Sequence, residues 1–160
     1  MTYNLRNDNI FNVQCIKTSS PSAQTSSSSW QDLEGSDITY NCTGSPTKVI
    51  YEYNFCYKYS SAFFIGDFKL VEYNTGTSSW DEVSNSAFLN DGTVNNGSYP
   101  AGYKSFSFCL DNWSGNKQLK LQWKNNTGSA QAHRMFIYQT NGTYSASYVR
   151  DCHLIMYSIA

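Results

Sequence analysis

The chain has 160 residues and a formal net charge of −1 at pH 7, which suits one domain and offers no global field that would draw it to nucleic acid or to an anionic membrane surface. Charged residues make up only 14% of it and aromatic residues 16%, with Ser, Thr, Asn and Gly filling much of the remainder. That balance excludes a disordered polyelectrolyte and suits a β-protein with a neutral polar surface.

The opening stretch MTYNLRNDNIF has neither the basic start nor the continuous apolar core of a secretory signal. No later run approaches the roughly 20 apolar residues of a membrane-spanning helix, so the chain is expected to be soluble as made. A first strand is expected over residues 10–17, followed by the polar run SSPSAQTSSSS, which reads as a mobile surface loop. After Trp30, turn signals recur at Gly44-Ser-Pro46, Asn74-Thr-Gly76, Asn90-Asp-Gly92, Asn95-Asn-Gly97, Pro100-Ala-Gly102, Ser114-Gly-Asn116, Asn126-Thr-Gly128 and Asn141-Gly142, each supplying residues that tolerate positive φ or open a tight turn. Between them lie candidate strands over residues 48–59, 62–74, 103–112, 118–125, 133–140 and 152–159. Phe106, Phe108 and Leu110 alternate with Ser105, Ser107 and Cys109, and Leu119, Leu121 and Trp123 with Lys120, Gln122 and Lys124, the period of half-buried strands. No window keeps helical spacing for three turns, so the expected fold is an all-β antiparallel jelly-roll β-sandwich of about eight strands.

One strand places Val49, Tyr51, Tyr53, Phe55 and Tyr57 on a single face. Thirteen tyrosines exceed what a small core can satisfy, because each buried hydroxyl needs a partner. Both faces carry bulk in two further segments: Phe64, Phe68 and Leu70 oppose Ile65, Val71 and Tyr73, and Leu154 and Met156 oppose Ile155, Tyr157 and Ile159. A second buried surface, on the outer side of one sheet and closed by cyclic symmetry, would absorb the surplus. Alternation alone does not say which face of residues 48–59 meets the core.

Reactive groups are sparse. Cys15, Cys42, Cys56, Cys109 and Cys152 form no CxxC pair and read as free thiols, the alternative being a bridge from Cys42 or Cys56 to a distant cysteine. His133 and His153 are the two histidines; Asp151, Cys152 and His153 are adjacent, so in a strand the thiol and the imidazole point to opposite faces and do not pair. The carboxylates show no spacing that favours a hydrolytic pair, the glycines form no phosphate loop, and Asn90 to Asn96 reads as a hairpin turn despite its oxygen ligands. The five Asn-X-Ser/Thr triplets read as products of Asn- and Thr-rich turns. A non-enzyme without cofactor or metal is expected.

The run Trp30-Gln-Asp-Leu-Glu-Gly-Ser-Asp-Ile-Thr-Tyr40, the segment Thr47-Lys-Val-Ile-Tyr-Glu-Tyr53 and the closing strand His153-Leu-Ile-Met-Tyr-Ser-Ile159 resemble small jelly-roll proteins of tailed phages, related in shape to the trimeric tumour necrosis factor fold. The resemblance covers residues 30–59 and the final strand. It implies a homotrimer whose axis is lined from the set Tyr51, Tyr53, Phe55, Tyr57, Tyr138 and Tyr157. It also implies a jelly-roll domain over residues 30–160, preceded by an arm and Ser-rich loop over residues 1–29 in which Asn4, Arg6, Ile10 and Phe11 contact a partner. The function implied is a virion structural protein, made in the host cytoplasm, that decorates or cements the exterior of a phage capsid, or forms a short head fibre, on the major capsid protein lattice. The alternatives are a tail-fibre knob that stacks a host-surface glycan on Trp30, Trp80 or Trp113, and an exported cytokine-like ligand, against which the missing signal peptide counts unless the chain is the ectodomain of a longer product.

Overall fold

Residues 10–18, 24–25, 27–58, 63–93, 101–125, 134–135 and 151–160 are described by the computed structural model. Among them there are twelve strands and no helix: β1 (Ile10–Thr18), β2 (Gln24–Thr25), β3 (Gln31–Asp32), β4 (Ile38–Cys42), β5 (Lys48–Lys58), β6 (Phe63–Asn74), β7 (Ser79–Glu82), β8 (Phe88–Thr93), β9 (Ala101–Asp111), β10 (Gly115–Asn125), β11 (Arg134–Met135) and β12 (Cys152–Ile159). They form two antiparallel sheets. The first runs β1-β12-β5-β11-β2 with β9 on the other side of β5; the second runs β3-β10-β6-β7, with β4 also on β10 and β8 also on β6. The chain crosses repeatedly between the sheets, and the orders β1-β12-β5-β9 and β4-β10-β6-β8 are those of a jelly roll.

Period-two patterning makes these segments strands, and burial selects the inward set. Val49, Tyr51, Tyr53, Phe55, Phe106, Leu154 and Met156 of the first sheet meet Tyr40, Phe68, Leu70, Leu119, Leu121 and Trp123 of the second in one core. Phe68 bridges the layers, its ring centroid 4.8 Å from Phe106 and 6.4 Å from Phe55. The buried tyrosines of β5 find their partners in the corner between β3 and β4: Tyr51 donates to the Ser36 carbonyl and Tyr53 to the Glu34 carbonyl, each at 2.5 Å. Ser36 is itself buried, donates to the Leu33 carbonyl and accepts from the Leu121 N–H at 3.0 Å. Gly35 lets the corner turn at φ +73°, and a Cβ there would lie 2.6 Å from both Cys152 Sγ and Thr18 Oγ1.

Several expectations change in detail. Asn90, Asp91 and Gly92 are not a turn but the middle of β8, opposite Gly66, Ile65 and Phe64; the long β6 supplies a ladder that outweighs a local turn signal. The strands β4 and β7 are additions, and Gln24–Thr25, inside the Ser-rich run, pairs with β11. Of the strand expected over 133–140, Arg134–Met135 is β11 and the rest lies outside the described residues, as do the turn signals at Asn95-Asn-Gly97, Asn126-Thr-Gly128 and Asn141-Gly142. Residues Ile10–Thr18 are hydrogen-bonded to β12 as a strand of the first sheet.

Candidate association surface

On the outer side of the first sheet, β5 presents Ile50, Glu52 and Asn54, β9 presents Ser105, Ser107 and Cys109, and β12 presents His153, Ile155, Tyr157 and Ile159, because the alternate positions of each strand are committed to the core. Register sets Tyr157 beside Ile50 and Cys109 beyond it, and Ile155 beside Glu52. Ile50 is 9% exposed, while Ile155, Tyr157 and Ile159 are half-buried. The Tyr157 hydroxyl donates to Glu52 Oε1 at 3.2 Å, and burial, followed by the neighbouring carboxylate, raises its pKa. The edge strand β1 adds Ile10 beside Ile159, Cys15 beside Ile155 and Lys17 beside His153. The strand also carries the exposed large hydrophobics of the described residues, Ile10 at 37%, Val13 at 59% and Ile16 at 38%. Charge sits at the margins, in Lys17–Asp151 at 2.7 Å and Lys48–Asp111 at 2.5 Å. The latter pair holds the Asp111 carboxyl below, and the Lys48 ammonium above, their ordinary values.

The outer side of the second sheet is built differently. Lys120 pairs with Asp32 at 2.6 Å, Lys124 with Asp67 at 3.3 Å, Lys69 with Glu82 at 3.9 Å, and Lys117 with Glu72. The same lysines lie over tryptophan rings: Lys69 and Lys124 are 4.4 and 4.9 Å from the Trp30 centroid, Lys120 is 3.8 Å from Trp80, and Lys117 is 5.0 Å from Trp113. This face is a lattice of paired charge packed on tryptophan rings. A groove of about 340 Å³ opens beside it, lined among others by Asp32, Glu34, Asp37, Trp80 and Lys120.

The residues expected at a three-fold axis therefore divide. Tyr51 and Tyr53 are 0% exposed and Phe55 1%, so they belong to the protomer's own core and leave nothing for a neighbouring chain to touch. This corrects the expectation, and the reason is strand parity: β5 shares its inward phase with Leu154 and Met156 of β12. Tyr157 is on the outward phase. The side chain of Tyr57 and all of Tyr138, Asn4 and Arg6 lie outside the described residues. Ile10 and Phe11 stand in β1, with Phe11 lying over Gly44, where an added Cβ would be 3.2 Å from its ring. Sequence reading named neither Ile50 nor the two outward cysteines for this face, although the double-sided bulk at Ile155, Tyr157 and Ile159 signalled it.

Cys15, Cys42, Cys109 and Cys152 are free thiols. Cys152 is buried against the Thr18 and Glu34 carbonyls, burial raises its pKa, and His153 points away from it to the other face. The adjacent Asp151, Cys152 and His153 thus form no nucleophilic device. Among the described residues no three His, Cys, Asp or Glu side chains converge to hold a metal.

No family model and no curated protein matches the chain. Among solved structures it is similar to a protein of Bacillus endospore appendages, described as disulfide-linked pili, at 10% identity and a TM-score of 0.35 over 95% of this chain and 90% of that one. It is also similar to the VP2 protein of an infectious bursal disease virus subviral particle, at 12% identity and a TM-score of 0.43 over 92% of this chain and 38% of that one. The capsid chain of the whole particle of the same virus gives 11% identity and a TM-score of 0.42 over 100% and 40%. This chain thus spans about two-fifths of the length of those viral proteins, and a likeness this loose carries no statement about role.

Proposed function

We propose that the chain is a virion structural subunit, a homotrimer closed through the outer face of its first sheet, that decorates or cements the exterior of a phage capsid or forms a short head fibre on it. The observation that supports this reading is the contrast between the two outer faces. On the second sheet Lys69, Lys117, Lys120 and Lys124 each have a carboxylate partner and lie over an indole, so the charge of this face is satisfied within the protomer. On the first, isoleucines and Tyr157 surround one hydrogen-bonded carboxylate, and charge is kept to the rim, the composition of an interface core with a polar margin. Closed symmetry is the ordinary way to cover such a face in identical copies. The capsid-facing part of this reading is the segment over residues 1–29, including Asn4 and Arg6, with Ile10 and Phe11 held in β1. The net charge of −1 gives nucleic acid and anionic lipid little to bind.

Light scattering followed by pelleting with expanded, undecorated capsids tests the proposal. A particle of three times 18.1 kDa that co-pellets is the expected result. A trimer that ignores capsids and binds whole bacterial cells would assign the groove beside Trp80 to a host-surface glycan instead. A monomer would overturn the reading.

A further inference from the structure

Two exposed thiols sit on the outer face of the first sheet, at its opposite flanks. Cys15 is on β1, the edge beyond β12, and Cys109 is on β9, the edge beyond β5. Between them run β12 and β5, so the two positions are three strand spacings, about 14 Å, apart, far beyond the roughly 7 Å Cα separation that a disulfide tolerates. Within one copy they cannot meet. The other thiols described, Cys42 and Cys152, are buried and reach neither.

A ring of identical copies uses head-to-tail contacts, in which one flank of a subunit meets the opposite flank of the next. The flank of β1 carries the exposed Ile10, Val13 and Ile16, and its one charged side chain, Lys17, is paired with Asp151. Beside β9 lies a cleft of about 440 Å³, lined by apolar Val83, Leu110 and Trp113 and by carboxylates that are each paired within the chain, Glu72 with Lys117, Glu82 with Lys69 and Asp111 with Lys48. Both flanks thus combine apolar side chains with charge that is paired within the chain, and each carries one exposed free thiol.

We infer that Cys15 of one copy and Cys109 of the next form a disulfide, so that the ring proposed above is locked covalently after it assembles; the inference rests on that reading of the face. The bond forms by exchange. The Cys109 or Cys15 thiolate attacks a low-molecular-weight disulfide and releases one small thiol, and the partner thiolate then displaces the second. One Sγ–Sγ bond is made and the S–S bond of the small disulfide is broken, and the two electrons and two protons lost by the cysteines leave in the two reduced small thiols.

The test oxidises the purified full chain with glutathione disulfide and compares non-reducing gels with light scattering under reducing conditions. The expected result is a trimer in solution without oxidant and, with oxidant, a covalent trimer that dithiothreitol collapses, with the Cys15 and Cys109 peptides linked in mass spectra. Cys15→Ser and Cys109→Ser should each abolish the covalent trimer while the reduced trimer persists. A trimer that oxidant does not cross-link overturns the disulfide and leaves the assembly reading standing. A covalent dimer lost in Cys15→Ser and kept in Cys109→Ser also overturns it, because like flanks would then be meeting. A monomer in reducing buffer removes the assembly reading and the disulfide with it.

Discussion

Tyr51 and Tyr53 show how single side chains connect patterning to stability. Each puts an aromatic ring in the core and one hydroxyl on a main-chain carbonyl of the corner between β3 and β4, so the corner's own polar groups are satisfied from across the sandwich. Tyr51→Phe should leave the buried Ser36 carbonyl short of a donor and cost about 1–3 kcal/mol in urea unfolding; an unchanged midpoint would show that the carbonyl is served otherwise. Burial raises the pKa of both phenols above the ordinary value. Because the folded state then holds these protons more tightly than the unfolded chain, their contribution is fully present below the unfolded pKa near 10 and is lost as pH rises beyond it. Tyrosinate absorbance and circular dichroism should therefore change together in alkali, with the buried tyrosines ionising only as the sandwich opens. Gly35→Ala should destabilise the fold by about 1–3 kcal/mol, since it combines positive φ with a Cβ pressed on Cys152 and Thr18.

At the scale of elements, β1 is a long strand at one edge of the first sheet. It pairs only with β12 among the described residues and is interrupted by a bulge between Phe11 and Gln14. Asn12 occupies the bulge at φ +54°, a conformation that asparagine tolerates better than most residues. It ties the strand down in both directions: its Nδ2 donates to the Thr43 carbonyl at 2.9 Å and to Thr43 Oγ1 at 2.7 Å, and its carbonyl accepts from the Tyr40 hydroxyl at 2.8 Å. Asn12→Val would remove the side-chain bonds and place a β-branched residue at positive φ. Amide exchange in β1 should then accelerate at least tenfold while β5 and β10 keep their protection; equal acceleration everywhere would mean that β1 unfolds only with the whole sandwich.

At the scale of the whole molecule, two sheets of similar inward composition differ in what they show outward. The lysine–carboxylate–tryptophan lattice has its charge satisfied internally, whereas the half-buried Ile155, Tyr157 and Ile159 gain by being covered. Ile155→Asp is expected to leave the far-ultraviolet dichroism of a sandwich intact and to shift light scattering from trimer to monomer, because the carboxylate would be buried at the contact without a partner. A trimer that survives this change would place the contact elsewhere.

Strand-rich architecture, the absence of helical periodicity and most long strands were legible along the chain: residues 152–159 coincide with β12, and 48–59 and 62–74 differ from β5 and β6 by one residue at an end. Alternation is a local property, set by which side of a pleat each side chain leaves. The surplus of bulk at Ile155, Tyr157 and Ile159 was legible for the same reason. What only the tertiary structure decided was which phase of β5 faces inward, since a shift of one residue exchanges the two faces at no local cost. Packing of the phase of Tyr51, Tyr53 and Phe55 against Phe68 and Trp123 settles it, and with it the outward set that includes Tyr157. The 33–37 corner that receives the tyrosine hydroxyls, and the placing of Cys15 and Cys109 on opposite flanks of one face, depend on pairings between strands far apart in the chain, which no short window of sequence contains.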